Sequence, residues 1–187
     1  MGEAAMKAPL FVAALFLSAL AAAEPNRWTI DYAESRIAFT AEQAEAPFDG
    51  GFKTFEADVR FDPTALSESR ADVQIDTSSV STADKERDGI LTGSGWFESE
   101  QFPRAHFVAK EFAKTSDGYE ARGELTIRSV TLPVIFRFTL KDAGGRFELH
   151  GGADLDRLAF QLGLGDWADP KWIGKTVHVA VTLIGSR

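Results

Sequence analysis

Residues 54–61 alternate without a fault. Phe55, Ala57, Val59 and Phe61 fall on one side, and Thr54, Glu56, Asp58 and Arg60 on the other. A period of two marks an extended chain with one buried and one wet face. The pattern recurs along most of the chain. Strands are expected at Arg27–Asp31, Ser35–Gln43, Phe52–Phe61, Ala71–Asp76, Arg104–Lys114, Tyr119–Arg128, Val134–Lys141, Arg146–His150 and Thr176–Ile184. Turn chemistry separates them: Ala44–Gly51 with Pro47 and two glycines, Asp62-Pro63, Asp117-Gly118 and Gly144-Gly145. Pro133 is expected at a strand start, where a missing donor is tolerated. This is an all-β chain of about eight or nine antiparallel strands, which close into a barrel or stack as a sandwich. A barrel of about eight strands has an interior that side chains just fill, or that holds one small ligand.

One long interval breaks the pattern. Arg87–Phe107 follows a short helical start, with Ser81 as its expected cap and Asp84 and Glu86 near its N-terminus. Gly93 and Gly95 end that helix, and Pro103 forbids its continuation. The segment carries Trp96, Phe97, Phe102 and Phe107. A loop so apolar covers something: it either plugs a core or forms a lid over a ligand cavity.

Residues 1–23 read as an export signal. Lys7 provides the positive flank, Leu10–Ala23 is apolar or small apart from Ser18, and Ala21-Ala22-Ala23 suits cleavage before Glu24. The expected mature domain is therefore 24–187, in the periplasm. The formal net charge of −8 argues against nucleic acid as a partner. With no cysteine, disulfides, thiolate metal sites and thiol nucleophiles are excluded.

Catalytic signals are sparse. His106, His150 and His178 are far apart and lack metal-ligand spacing. His178 lies opposite the Val177/Val179/Val181 face and should meet solvent. Trp172-Ile173-Gly174-Lys175-Thr176 ends like a phosphate-binding loop, but Asp169 stands where the first glycine belongs and a strand follows. No nucleophile elbow is present, and scattered carboxylates on an acidic surface are no sign of acid–base catalysis. Neither catalytic residues, a metal nor a cofactor is assigned. Arg87-Asp88 either ties the helix across the barrel end or offers a polar contact at a cavity mouth; the tie is the favoured reading. Trp167 and Trp172 are either core or a rim that meets an apolar partner. Gly163-Leu164-Gly165 carries little information.

In order and spacing, several short motifs together resemble the YceI-like polyisoprenoid-binding proteins. They are Trp28-Thr29-Ile30-Asp31; Gly51-Phe52, Phe55 and Val59-Arg60-Phe61-Asp62-Pro63; Arg87-Asp88, Leu91, Trp96-Phe97, Phe102-Pro103 and Phe107; and Gly123-Glu124-Leu125-Thr126-Ile127 with Val130-Thr131-Leu132-Pro133-Val134. The resemblance runs from Trp28 to the end. It implies an antiparallel lipocalin-like β-barrel with a short helical insertion, an isoprenoid or other amphiphilic lipid inside, and no catalysis. The expected lining is Phe39, Phe55, Phe107, Leu125, Ile127, Phe136 and Phe138, with Trp96 and Phe97 as lid. Alternation alone does not say which face points inward.

The chain departs from the family pattern in two places. A His-Ser pair common in the family is Glu34-Ser35 here, and a second common histidine before Gly51-Phe52 is missing. If those histidines meet a head group, this chain does so differently or prefers a less acidic head. The segment Leu155–Phe160 with Gly163–Trp167 resembles a branch found beside cytochrome b561-type membrane proteins, which implies a quinone-like ligand. An accessory protein of such a cytochrome, with a side-chain-filled barrel, is the alternative. The oligomeric state is open, a homodimer included.

Overall fold

The structure, a computed structural model, describes residues 27–186; the expected signal peptide lies outside them. Eleven strands form one antiparallel sheet: β1 (Thr29–Ile30), β2 (Arg36–Gln43), β3 (Ala46–Phe52), β4 (Phe55–Arg60), β5 (Arg70–Asp76), β6 (Val80–Ser81), β7 (Arg104–Lys114), β8 (Tyr119–Ile127), β9 (Val130–Ala143), β10 (Arg146–Asp156) and β11 (Thr176–Ser186). The one α-helix among the described residues, α1 (Lys85–Thr92), lies between β6 and β7. The strand order is β4-β5-β7-β8-β9-β10-β11-β2-β3-β6, with β1 on β11.

The sheet curls into a lipocalin-like barrel. At one end the N-terminal strand bridges β11 to the marginal strand β4. Thr29 and Ile30 pair with Ser186 and Gly185 of β11, and the Trp28 N–H donates to the Val59 carbonyl at 2.9 Å. At the other end β3 meets β6 through Gly51–Ser81 and Phe52–Val80.

The residues expected to turn at Ala44–Gly51 are mostly strand. The turn itself is Ala44-Glu45, both at positive φ (51° and 63°), and β3 then runs back along β2 from Gln43–Ala46 to Ile37–Phe52. Neither Ala nor Glu advertises a left-handed turn, so the turn chemistry pointed to the wrong residues. The β7–β8 turn also shifts. Thr115 N–H bonds the Gly118 carbonyl at 2.9 Å, which leaves Ser116-Asp117 at its tip.

Pro133 sits inside β9, opposite Glu124, rather than at its start. The strand tolerates it because the β9–β10 ladder stops at Arg137–Gly152. Beyond that point β9 has a neighbour on one side only. Side chains fill this seam, with Leu132, Val134, Leu155 and Phe160 packing in one cluster.

A bulge on β7 adjusts which residues face inward. The register with β8 shifts between Ala109 and Glu111. Ala105, Phe107 and Ala109 point in; the extra residue, Lys110, then lets exposed Glu111 stay in water while Phe112 turns inward.

Candidate functional site

The inward faces of the strands enclose an apolar cavity of about 250 Å³. Ile37, Phe39, Val73, Ile75, Val179 and Val181 contribute to its walls. Of the residues expected to line it, Phe39, Phe107, Leu125, Ile127, Phe136 and Phe138 do so, and Trp96 and Phe97, expected as lid, are also part of its lining. Phe55 does not. It is buried instead in the core cluster that holds Val59 and Phe61, with the Tyr32 ring against it, centroids 5.4 Å apart.

One end of the cavity is sealed by aromatic rings. Phe61 and Phe147 are each 1% exposed. Trp28 lies on Phe147 with centroids 3.5 Å apart. Phe61 meets Trp28, Tyr119, Phe112 and Phe138 at 6.1, 5.1, 5.6 and 5.3 Å. These edge-on and tilted contacts make a floor that fixes the depth of the cavity.

The other end is the mouth, covered by α1 and the Trp96 loop. Asp84, not Ser81, caps α1, accepting from the Glu86 and Arg87 N–H groups at 3.0 and 3.1 Å. Ala83 at φ 58° delays the helix to that point. The adjacent Arg87 and Asp88 divide their roles. Asp88 is the tie: its Oδ1 accepts from the Thr82 N–H and hydroxyl, both at 2.7 Å. Arg87 faces the cavity, with its guanidinium 4.2 Å from the Phe48 ring centre and its Nε donating to Gln43 Oε1 at 3.3 Å. Phe48, Ile90 and Trp167 complete the rim, where Ile90 and Trp167 are exposed.

A second arginine organises the loop of residues 157–175. Arg157 is 3% exposed and donates to five backbone carbonyls: Gly174 from Nε, Leu162 and Gly163 from Nη1, Trp167 and Ile173 from Nη2, all at 2.7–2.9 Å. Burial pulls its pKa below the ordinary arginine value, while the Asp156 charge works the other way. All five of its donors are taken, and no carboxylate is among the acceptors. Gly163, which carried little information in the sequence, is required here. Its φ is +63°, and a Cβ would lie 2.7 Å from the Trp96 ring. The signal for Arg157 was the adjacent charge pair Asp156-Arg157 at the head of the mainly apolar stretch Leu155–Leu164, and composition gave it no role.

The remaining candidates lie outside the cavity. His106, His150 and His178 pair with Asp72, Glu148 and Asp154 at 2.8, 2.6 and 2.6 Å on the outer surface. Among the described residues no group of three His, Cys, Asp or Glu is placed to hold a metal. Glu34, at the position of the family's frequent histidine, is exposed and pairs with Arg146. Ser35 bonds the Ile184 backbone. Both stand near the floor, away from the mouth. Trp172 is 62% exposed.

The comparisons agree with this architecture. The family model described as the YceI-like domain matches residues 28–184. A UPF0312 protein of Photorhabdus laumondii is 34% identical over 124 residues, 62% of this chain and 65% of the relative. One from Yersinia pestis is 36% identical over the same shares. The match thus spans just under two thirds of these relatives. Among solved structures, Burkholderia cenocepacia BcnA superposes with a TM-score of 0.80 at 29% identity, covering 83% of this chain and 99% of that one. A polyisoprenoid binding domain from Saccharophagus degradans shares the fold, with a TM-score of 0.68 at 16% identity, over 85% and 97% of the two chains. The barrel, its motif order and the family match lead to one conclusion: this chain belongs to the YceI-like family.

Proposed function

We propose that the protein binds a long-chain isoprenoid or similar amphiphilic lipid inside the barrel, and carries or sequesters it in the periplasm after losing residues 1–23. The observation that carries this reading is the blind apolar cavity. Its lining holds only three side chains with charge or amide character, Gln43, Arg87 and Arg157, and one of them is fully engaged by backbone. A polyprenyl tail has no polar group along its length and asks for such walls. Burying apolar surface contributes about 25 cal/mol per Å², so partial insertion of a tail already gives substantial affinity. The structural neighbour described as a polyisoprenoid binding domain supports the same class of ligand. The reading assigns no catalytic step.

Mass spectrometry of protein exported in its native host, under native conditions and after organic extraction, tests this. A stoichiometric hydrophobic adduct is expected. A clean apo mass with no uptake of added isoprenoids would overturn the carrier reading.

The exposure of Trp167 and Trp172 favours a second reading: an accessory protein that meets a membrane redox partner, such as a b561-type cytochrome, through this rim. A Trp167/Trp172 double substitution that abolished partner binding while lipid uptake persisted would select it.

A further inference from the structure

Backbone strain is concentrated at one end of the barrel. Among the described residues, six other than glycine hold a positive φ: Ala44, Glu45, Ala83, Glu98, Arg128 and Gln161. A side chain in that region of backbone space is uncommon and costs energy. All six flank the mouth. Ala44 and Glu45 form the β2–β3 turn, where the Ala44 N–H bonds the Trp172 carbonyl at 2.8 Å. Ala83 precedes α1, and the other three sit in the Trp96 loop, the β8–β9 turn and the loop of residues 157–175. At the floor end, the β9–β10 turn gives its positive φ to Gly144 and Gly145.

Three of the six are joined by one side chain. Arg128 donates from Nη2 to Glu98 Oε2 at 2.6 Å and from Nη1 to the Gln161 carbonyl at 3.2 Å. Glu98 spends its other oxygen on its own loop: Oε1 accepts from the Ser94 hydroxyl at 3.2 Å and the Gly95 N–H at 3.4 Å. The carboxylate that shapes the turn carrying Trp96 and Phe97 is thus also bolted to the barrel wall. The two side chains are only 20% and 23% exposed, so this charge-assisted bond is sheltered from water. The loop's further bonds run to elements that are themselves at the mouth: Phe97 N–H to the Leu91 carbonyl of α1 at 2.9 Å, and Gly163 N–H to the Gly95 carbonyl at 2.7 Å. The closed arrangement is also incompletely bonded. Arg128 Nε and Ser99 Oγ are buried with no partner among the described residues.

We propose that the Glu98–Arg128 pair is the latch of a lid, and that its release sets the rate at which ligand enters and leaves. The lid is α1 together with the Trp96 loop. Thr77 bonds the Phe102 carbonyl at 2.9 Å and the Pro103 carbonyl at 3.0 Å, and so marks the hinge. Trp96 and Phe97 line the cavity, so lifting the loop takes away part of its wall. Once the pair parts, the strained residues relax, and that relief offsets part of the cost of opening. Neither Glu98 nor Arg128 lines the cavity. The inference rests on the lipid reading above and goes beyond it, naming residues that time the exchange without touching the cargo.

The test uses N-phenyl-1-naphthylamine, a neutral apolar dye that brightens out of water. It is loaded into the mature protein and released by stopped-flow mixing with excess phosphatidylcholine vesicles. Glu98→Gln and Arg128→Gln should each raise the release rate about three- to tenfold, the range expected for one sheltered ion pair. The double variant should gain no more than either alone, because both changes remove the same contact. Uptake should quicken by the same factor and leave Kd within about twofold, since a latch moves both rates together. Arg122→Gln, which breaks a pair of equal 2.6 Å length with Glu120 on the outer wall, should change neither rate. Circular dichroism checks that each variant is folded. Unchanged rates in both latch variants would overturn this inference, while dye uptake by the wild type would keep the lipid reading. Faster release with unchanged uptake would mean that the pair shapes the wall and is no latch, and would overturn it as well. A wild type that takes up no dye would overturn the lipid reading and this inference with it.

Discussion

Phe39 lies across Gly50, its cross-strand partner, so closely that a Cβ at residue 50 would fall 2.4 Å from Phe39 Cζ. The arrangement recurs. Phe107 covers Gly123, Phe136 covers Gly151 and Phe147 covers Gly185, with a Cβ at each glycine 2.8, 2.6 and 2.5 Å from the ring. A glycine within a strand normally weakens it, but here each leaves a slot for a ring on the next strand. The sheet can therefore curl tightly around large side chains. Gly50→Ala should destabilise the protein by about 1–3 kcal/mol through overpacking. Combining it with Phe39→Ala should cost less than the sum of the two changes, measured by urea unfolding of the four members of the cycle. Strict additivity would show that the ring and the glycine are not coupled.

Phe136 lines the cavity midway along β9. A carboxylate there would have to give up water to face an apolar tail, which is costly without a partner. Phe136→Asp should remove lipid retention, read by extraction and mass spectrometry. A folded Phe136→Asp protein that still retained its lipid would refute the placement of Phe136 in the binding wall.

Arg157 holds five carbonyls that would otherwise be buried without donors. Arg157→Met should cost about 3 kcal/mol or more, because each orphaned buried acceptor carries its own desolvation penalty. Arg157→Lys should not rescue it, since an ammonium offers three donors from a point and not five from a plane. Thermal unfolding of both variants checks this; a lysine variant with wild-type stability would show that charge alone matters.

Acid should loosen the loop of residues 157–175 through Asp156. Desolvation pushes the Asp156 carboxyl upward, but hydrogen bonds from Lys175, Ala159 and Leu158 outweigh it and hold the pKa below the usual value. A carboxyl lowered in the folded state stabilises the protein above its unfolded pKa of about 4, and that gain disappears as pH falls through the lower folded value. Glu148, lowered mainly by its hydrogen bond with His150, acts with the same sign. Asp156→Asn should therefore flatten the fall in Tm below about pH 4. An unchanged acid limb would exclude Asp156 as a contributor.

The legible part of the fold was its alternation. β5, β7, β8 and β11 lie within two residues of the expected bounds, because each has one wet face and one buried face over most of its length. β3 was illegible for a specific reason: Pro47, Gly50 and Gly51 read as turn residues, yet Gly50 is there for the Phe39 ring. The true turn, Ala44-Glu45, has no sequence mark. β10 runs on to Asp156 through Gly151-Gly152 for a related reason, since Gly151 makes room for the Phe136 ring and the β9 backbone. Which face lines the barrel needed the closed sheet. So did the division of labour between Arg87 and Asp88, adjacent residues that a helix points in different directions. Arg157 was hidden because its partners are carbonyls, which every residue carries and no motif records.

The floor built from Trp28, Phe61 and Phe147 has a kinetic consequence. A tube open at both ends lets an arriving molecule push the resident out ahead of it. This one has a single door, so for a lipid carrier departure must precede arrival. Exchange then follows first-order kinetics, and adding more competitor does not hasten it. The slow event is the withdrawal of a tail past Phe48, Ile90 and Trp167, and it proceeds at the protein's own pace.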